Sequence, residues 1–434
     1  MSRAVVSILS LLVAALLWAA PAQAKEHVPI VFVHGNTGSA QQFETNAMRF
    51  TSNGYDDADL FAYEYDSSAS TNDAAIAGLD RFIADVKAKT GAPKVDVLAH
   101  SRGTTIMLTF LSTPARAAQV RRYVDFDGRS APSLPGGVPS LGIWGEGDPT
   151  RAITGGQNFY FPEKSHTEVT TSAEAFGKVF EFLTGEAPKT TDVVPEPPGR
   201  VRVSGRVTDF PQNSGLEGAE LEVYAVDPGT GQRRSRRPRY TRLLGADGAW
   251  GPLRLNGRQR YEFAVTRPDG IVQHFYFLPF ERSDHFVRLQ TSPAGGIGEL
   301  LERSAKHVAF VVLRMREWRS DQSPATANDE LTIGGTNVLA PAIAPRARRL
   351  IAVFVFDKGS DGVTNLSAPV PPFGGTPFLT AADLFVKADP YGRGTVKLTE
   401  RARDWGRTST IAVPDWPSLL HPVTVQFKDY ETRR

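Results

Sequence analysis

Ser101, His166 and two aspartates, Asp127 and Asp148, are the residue types that nucleophilic acyl chemistry needs, in the chain order serine, acid, histidine. A serine hydroxyl is a weak nucleophile until a base stands in hydrogen-bond reach of it, and that base needs a third group to fix its tautomer. Ser101 lies in Val95–Gly103, V-D-V-L-A-H-S-R-G. An apolar run stops in Ala-His-Ser-Arg-Gly, and a helical pattern starts at once, from Thr104 to Leu111. This is strand, sharp turn, helix, close to G-x-S-x-G with Ala99 in place of the first glycine. Small residues at 99 and 103 let the two backbones approach, and the turn pushes the hydroxyl out over the strand's carboxyl end.

His166 is the only histidine between Ser101 and residue 199, and it follows the last strand of its unit in E-K-S-H-T-E. It is the candidate base. Asp127, in V-D-F-D-G, follows the strand after the serine's helix. Asp148, in W-G-E-G-D-P, follows the next one. Either could orient the imidazole, and the usual position of the acid in such sheets favours Asp148. Asp125 lies inside its strand and is a poorer candidate for reaching over the rim. A tetrahedral intermediate also needs two backbone donors. The N–H of Arg102 is one. The other is expected from H-G-N-T-G after the first strand, from Asn36 first and Thr37 second.

Parallel strands must position these groups. His27–Val33, Leu60–Tyr65, Val95–Leu98, Tyr123–Phe126, Val138–Trp144 and Asn158–Phe161 read as strands, mostly apolar and β-branched. Helical patterns alternate with them at Ala40–Phe50, Asp73–Lys89 and Ala173–Leu183. Alternation predicts a parallel sheet with helices on both faces, and ligands in such sheets sit at the strands' carboxyl ends. His34, Ser101, Asp127, Asp148 and His166 all fall just past such an end.

Beyond Gly185 the pattern changes. The Pro-rich stretch 187–199 reads as a linker. Val201–Val207, Ala219–Val226, Gly245–Gly251, Tyr261–Val265 and Val272–Leu278 alternate apolar and polar residues, with turns between them, as in a β-sandwich over 200–295. Val308–Met315, Leu350–Phe356 and Val423–Phe427 belong to a second β module over 296–434. Met1–Ala24 has Arg3, an apolar stretch and A-Q-A before Lys25, as a secretory signal does. Its cleavage would give an extracellular or periplasmic chain, 25–186 forming the first domain, with no membrane span left. A retained membrane helix is the alternative reading.

The 434 residues carry a formal net charge of +2 and no cysteine. The first gives no overall field that would attract nucleic acid. The second excludes disulfides, thiolate metal sites and a cysteine nucleophile.

His34-Gly35-Asn36, Ala99-His100-Ser101-Arg102-Gly103 and the short spacing to His166 resemble the α/β-hydrolase lipases and carboxylesterases. Asp127-Gly128, His166-Thr167 and T-T-S-A-E-A-F-G-K-V-F-E-F-L-T-G resemble the archaeal-type lipases among them. The resemblance implies an α/β-hydrolase fold followed by all-β modules that contact lipid, and a secreted serine ester hydrolase with an ester or lipid substrate and no cofactor or metal. It also implies Asp127 as the acid, with Asp148 left as the alternative. Arg102 departs from the family's usual apolar residue. A polyester depolymerase or acyltransferase would share the triad. A lipid- or carbohydrate-binding protein on a hydrolase shell would not need it. Three further stretches have plain readings: Arg233–Arg239 as a solvated basic loop, Phe275–Phe280 as a core strand, and Asp357–Gly362 as a turn without the ligand spacing of a calcium loop.

Overall fold

The computed structural model describes residues 27–431, so the proposed leader lies outside the described residues. The first half contains β1 (Ile30–Val33), α1 (Glu44–Ser52), β2 (Leu60–Tyr63), α2 (Asp73–Thr90), β3 (Val95–His100), α3 (Arg102–Leu111), α4 (Pro114–Ala117), β4 (Val120–Phe126), β5 (Ser140–Trp144), β6 (Gln157–Tyr160), α5 (Glu168–Thr171) and α6 (Ala173–Thr184). The six strands form one parallel sheet in the order β2-β1-β3-β4-β5-β6. This is the parallel sheet with helices on both faces that the alternation predicts.

The sheet is covered on both faces. Ile76, Leu79, Ile83 and Val86 recur on one side of α2 and pack with Val31, Val97 and Ile106. Phe43, Phe50, Phe176 and Phe180 pack with Phe32, Leu98 and Val124 on the other. Gly91 ends α2 and Gly185 ends α6, each in the left-handed conformation that favours glycine.

The second half is all β: β7 (Arg202–Asp209), β8 (Ser214–Gly215), β9 (Glu220–Val226), β10 (Tyr240–Leu243), β11 (Ala249–Arg254), β12 (Arg260–Thr266), β13 (Val272–Phe277), β14 (Asp284–Thr291), β15 (Phe310–Trp318), β16 (Glu330–Ile333), β17 (Thr336–Asn337), β18 (Leu350–Phe356), β19 (Leu379–Asp383), β20 (Thr395–Arg401), β21 (Thr408–Pro414) and β22 (Val423–Gln426), with short 3-10 turns between some of them. An eight-stranded sheet runs β10-β9-β12-β13-β22-β15-β18-β19, and smaller sheets are built on β11-β7-β14 and β17-β16-β20-β21.

The two β segments read as separate modules therefore share a sheet. The last strand, β22, sits between β13 of the first segment and β15 of the second, parallel to both. One core correspondingly contains Val226 and Tyr276 together with Val312, Val353 and Val425. Strand-level reading of the sequence treats segments as units because it sees only neighbours; a pairing 150 residues distant leaves no local trace.

The Pro-rich stretch lies along α1. Asn53 donates to the Thr190 carbonyl (2.8 Å), Thr190 N–H donates to Asn53 Oδ1 (3.1 Å), and Val194 N–H donates to Ser52 Oγ (3.0 Å). The halves are also joined by ion pairs in which the β half supplies arginine and the first half glutamate. Arg288 meets Glu64 (2.6 Å), Arg316 and Arg403 meet Glu168 (2.9 and 2.7 Å), and Arg346 and Arg349 meet Glu146 (2.8 and 3.1 Å). Phe286 of β14 enters the first half's core, edge-on to Phe32 at 5.6 Å.

Candidate active site

Ser101 stands at the apex between β3 and α3 with φ 52° and ψ −118°, a conformation that costs a non-glycine residue of order 1–3 kcal/mol and persists only where the surroundings enforce it. They do. Its N–H donates to the Phe126 carbonyl (3.1 Å), and its carbonyl accepts from Thr104 N–H (3.0 Å) and Oγ1 (2.7 Å). Gly103 lies against β1: a Cβ there would come within 2.5 Å of the Val33 carbonyl oxygen. A Cβ on Gly35 would meet His100 Nδ1 at 2.8 Å. These two glycines let the elbow and the first loop nest together.

Asp127 and His166 are in contact. Asp127 Oδ2 lies 2.5 Å from His166 Nδ1, and both residues are buried. The other carboxylate oxygen, Oδ1, accepts from Gly145 N–H (2.8 Å) and pairs with Arg151 Nη2 (2.9 Å). Burial works against the Asp127 charge, but the hydrogen bond and charge of His166, the Gly145 N–H and Arg151 outweigh it and hold the carboxyl down at about 2. It is ionised across the neutral range.

Asp148 is not brought to His166. Its side chain is exposed and closes a turn, accepting from Thr150 N–H (2.8 Å) and Oγ1 (2.6 Å). The G-D-P-T sequence folds on itself after β5, as Asp does readily two residues before a donor. Its backbone carbonyl accepts from Arg151 Nε (3.2 Å), so Asp148 serves the site by placing the arginine that pairs with Asp127. Asp125 is buried in β4, bound to Gly128 N–H (2.8 Å) and the Tyr123 hydroxyl (3.1 Å).

Asn36 and Arg102 meet across the elbow, Arg102 Nη1 donating to Asn36 Oδ1 (3.2 Å). Gly38 N–H closes the turn onto the Gly35 carbonyl (3.2 Å), with Thr37 at φ 50°. The Arg102 guanidinium also binds Asn72 Oδ1 (2.9 Å) and the carbonyls of Ser67 (2.7 Å), Ala69 (2.6 Å) and Thr71 (3.1 Å). It ties the 67–72 loop to the elbow, which accounts for a long cation at this position. His100 packs beneath, its Nε2 donating to the His166 carbonyl (2.9 Å). Burial, together with the nearby His166 charge, pushes His100 down to about 3, so it is neutral.

Several residues of the β half reach this site with no signal in the sequence. Glu317 accepts the N–H groups of Thr167 and of Glu168 (2.8 Å). The Phe378 ring stacks on His166 at 5.8 Å and 22°, from a backbone held at φ 64°. Asn213 donates to the carbonyls of Gly38 (2.8 Å) and Tyr65 (3.1 Å). Each is a lone polar or aromatic residue in a loop or strand more than 100 residues from its partner, and only the tertiary fold pairs them.

Two depressions lie in this region. A shallow, open one is lined by Asn72, Ser101, Thr105, Asp127 and Arg129. A deeper apolar cavity of about 170 Å³ touches Thr37, Gly38 and Gln42 on one side. Ile297, Leu301, Val311, Leu313, Phe354 and Leu379 of the β half line the other. Among the described residues, no group of three or more His, Cys, Asp or Glu is arranged to hold a metal ion, and no helix is long and apolar enough to cross a membrane. Asp357 closes its own loop by accepting from Gly362 N–H (3.1 Å), Arg233 is paired with Glu262 (2.7 Å), and Phe275 and Phe277 are buried in the sandwich.

A six-stranded parallel sheet with a serine on a strained elbow and an Asp–His pair at the same edge defines the α/β hydrolases. Residues 27–112 match the family model for class 2 lipases, and residues 199–294 match the model for the lipase C-terminal domain. A further C-terminal domain model matches residues 296–431. The chain is a lipase-like hydrolase with a C-terminal extension. Among solved structures it is similar to the predicted CIB-like hydrolase of Thermoplasma acidophilum, at 16% identity over 38% of this chain and 89% of that one, with a TM-score of 0.30. It is similar to Aspergillus fumigatus lipase B, at 15% identity over 38% of this chain and 54% of that one, with a TM-score of 0.30. It is also similar to Bacillus licheniformis lipase BlEst2 in its propeptide form, at 10% identity over 90% of this chain and 93% of that one, with a TM-score of 0.31.

Proposed function

We propose that the protein is a secreted serine carboxylic-ester hydrolase that works through an acyl-enzyme on lipid or ester substrates. The observation that carries this reading is the buried pair of Asp127 and His166 at 2.5 Å, with Asp127 lining the same depression as Ser101, a serine held at positive φ. In this scheme Ser101 Oγ attacks the ester carbonyl while His166 Nε2 takes its proton. Asp127, ionised and bound to Nδ1, fixes the tautomer and stabilises the imidazolium that forms. The backbone N–H groups of Arg102 and Asn36 receive the oxyanion. Collapse of the intermediate expels the alcohol, which His166 protonates. Water, activated by the same histidine, then hydrolyses the acyl-enzyme.

The apolar cavity beside Thr37, Gly38 and Gln42 suits a long acyl chain, and this favours a lipid over a small soluble ester. The shallow depression at Ser101 is lined by Asn72, Thr105 and Arg129, and suits the polar alcohol side. In this reading the sequence divides into a leader at 1–24, a catalytic domain at 25–186, a linker at 187–199 and β modules at 200–295 and 296–434, the last two cooperating through their shared sheet.

A fluorophosphonate probe tests the nucleophile. Stoichiometric labelling mapped to Ser101 is expected, with none in the Ser101→Ala variant. A folded, unlabelled wild-type protein would favour the binding-protein alternative.

A further inference from the structure

The segment that presents His166 is held from the β half. Glu317, on β15 and 2% exposed, puts both carboxylate oxygens against this segment: one accepts Thr167 N–H, the other Glu168 N–H at 2.8 Å. Both oxygens act as acceptors, as they do in a carboxylate ion. The next residue, Glu168, is gripped by Arg316 (2.9 Å) and Arg403 (2.7 Å), and its Oε2 also accepts Ser165 N–H (3.3 Å). Within the first half, the His166 backbone carbonyl has His100, and the ring has Asp127. The two amides that follow the imidazole are satisfied only across the interface.

The geometry points to Glu317 as a positioning residue for the catalytic base, so that the β half completes the active site as well as contacting substrate. This rests on the serine-hydrolase reading. Glu317 touches no reacting atom. It fixes the backbone from which the His166 side chain springs, and a displacement of about 1 Å in such a group can cost roughly 100-fold in rate. Burial, helped by the neighbouring Glu168 carboxylate, pushes the Glu317 carboxyl above its ordinary value, against the opposing Thr167 N–H and His166, and its own backbone carbonyl is bound by Arg314 (2.9 Å) and Arg403 (2.6 Å). Those two arginines are balanced in turn by Asp329 and Glu400. The charges facing Glu317 are thus Glu168 and His166 from α5 and its preceding loop, and Arg314, Arg316 and Arg403 from the β half.

The test uses the full-length enzyme and a soluble p-nitrophenyl ester, with kcat, KM and the pH profile measured for wild type, Glu317→Gln and Glu317→Asp. In Glu317→Gln one acceptor becomes a donor facing an N–H. The expected result is a fall in kcat of roughly 10-fold or more with KM changed less than about twofold, and fluorophosphonate labelling slowed in parallel. The acid limb of the profile moves to lower pH, because an imidazolium loses a nearby negative charge. Glu317→Asp, which keeps the charge, lies between the two and does not shift the limb. If Glu317→Gln fails to fold, Glu317→Asp carries the test through its kcat alone. Unchanged kcat and pH profile in a folded variant overturn the proposal, as does a rise in KM without a fall in kcat. An inactive, unlabelled wild type would instead overturn the serine-hydrolase reading.

Discussion

Asp127 Oδ2 lies 2.5 Å from His166 Nδ1, while Asp148, 21 residues further along, folds its carboxylate back onto Thr150. Two aspartates after consecutive strands thus take different jobs. Replacing Asp127 by Asn keeps the shape but leaves His166 free to adopt the wrong tautomer. The expected loss in kcat is roughly 10³–10⁴-fold. Asp148→Asn is expected to leave kcat near wild type. Steady-state kinetics on both variants decides, and the reverse ranking would make Asp148 the acid.

Asp125 offers a test that does not depend on activity. Burial raises its carboxyl to about 7, against the opposing Gly128 N–H and Tyr123 hydroxyl bonds. The folded protein therefore holds this proton more tightly than the unfolded chain. Its contribution to stability is complete below the usual carboxyl value of 3.8 and is lost as pH rises through about 7. The full loss is on the order of 4 kcal/mol. Asp125→Asn mimics the protonated form. Its Tm should match wild type near pH 4 and exceed it near pH 8. A difference that does not change with pH would contradict the assignment.

The elbow makes a steric prediction. A methyl group at position 103 would press on the Val33 carbonyl, a backbone atom that cannot move aside. Gly103→Ala should cost roughly 1–3 kcal/mol and lower Tm measurably. Wild-type stability would mean that β1 and α3 are less closely packed than described.

The apolar cavity predicts a chain-length effect. Leu313 lines it, half-buried on β15. Leu313→Trp fills space there and should shift the preferred acyl length towards shorter esters while leaving short-ester kcat unchanged. Equal loss on all lengths would place the acyl chain elsewhere.

Much of this was legible in the sequence because the first half is built from local patterns. The A-H-S-R-G turn, the alternation of apolar runs with amphipathic helices, and the placing of Asp127 and His166 past strand ends are each readable within a few residues. The β half was read less well. The runs now seen as β14 and β20 carry charged residues, such as Arg288, Glu400 and Arg401, that spoil the alternation. Arg288 is buried all the same, because Glu64 waits for it across the interface. Glu317, Phe378 and Asn213 acquire their places only when two halves of one chain meet.

The central claim is most directly tested by hydrolysis of p-nitrophenyl esters from short to long acyl chains, with Ser101→Ala measured alongside. The wild type should hydrolyse these esters, up to long chains, and the variant should not. Hydrolysis retained by a folded Ser101→Ala protein would contradict it, since the chemistry would then not pass through the elbow serine.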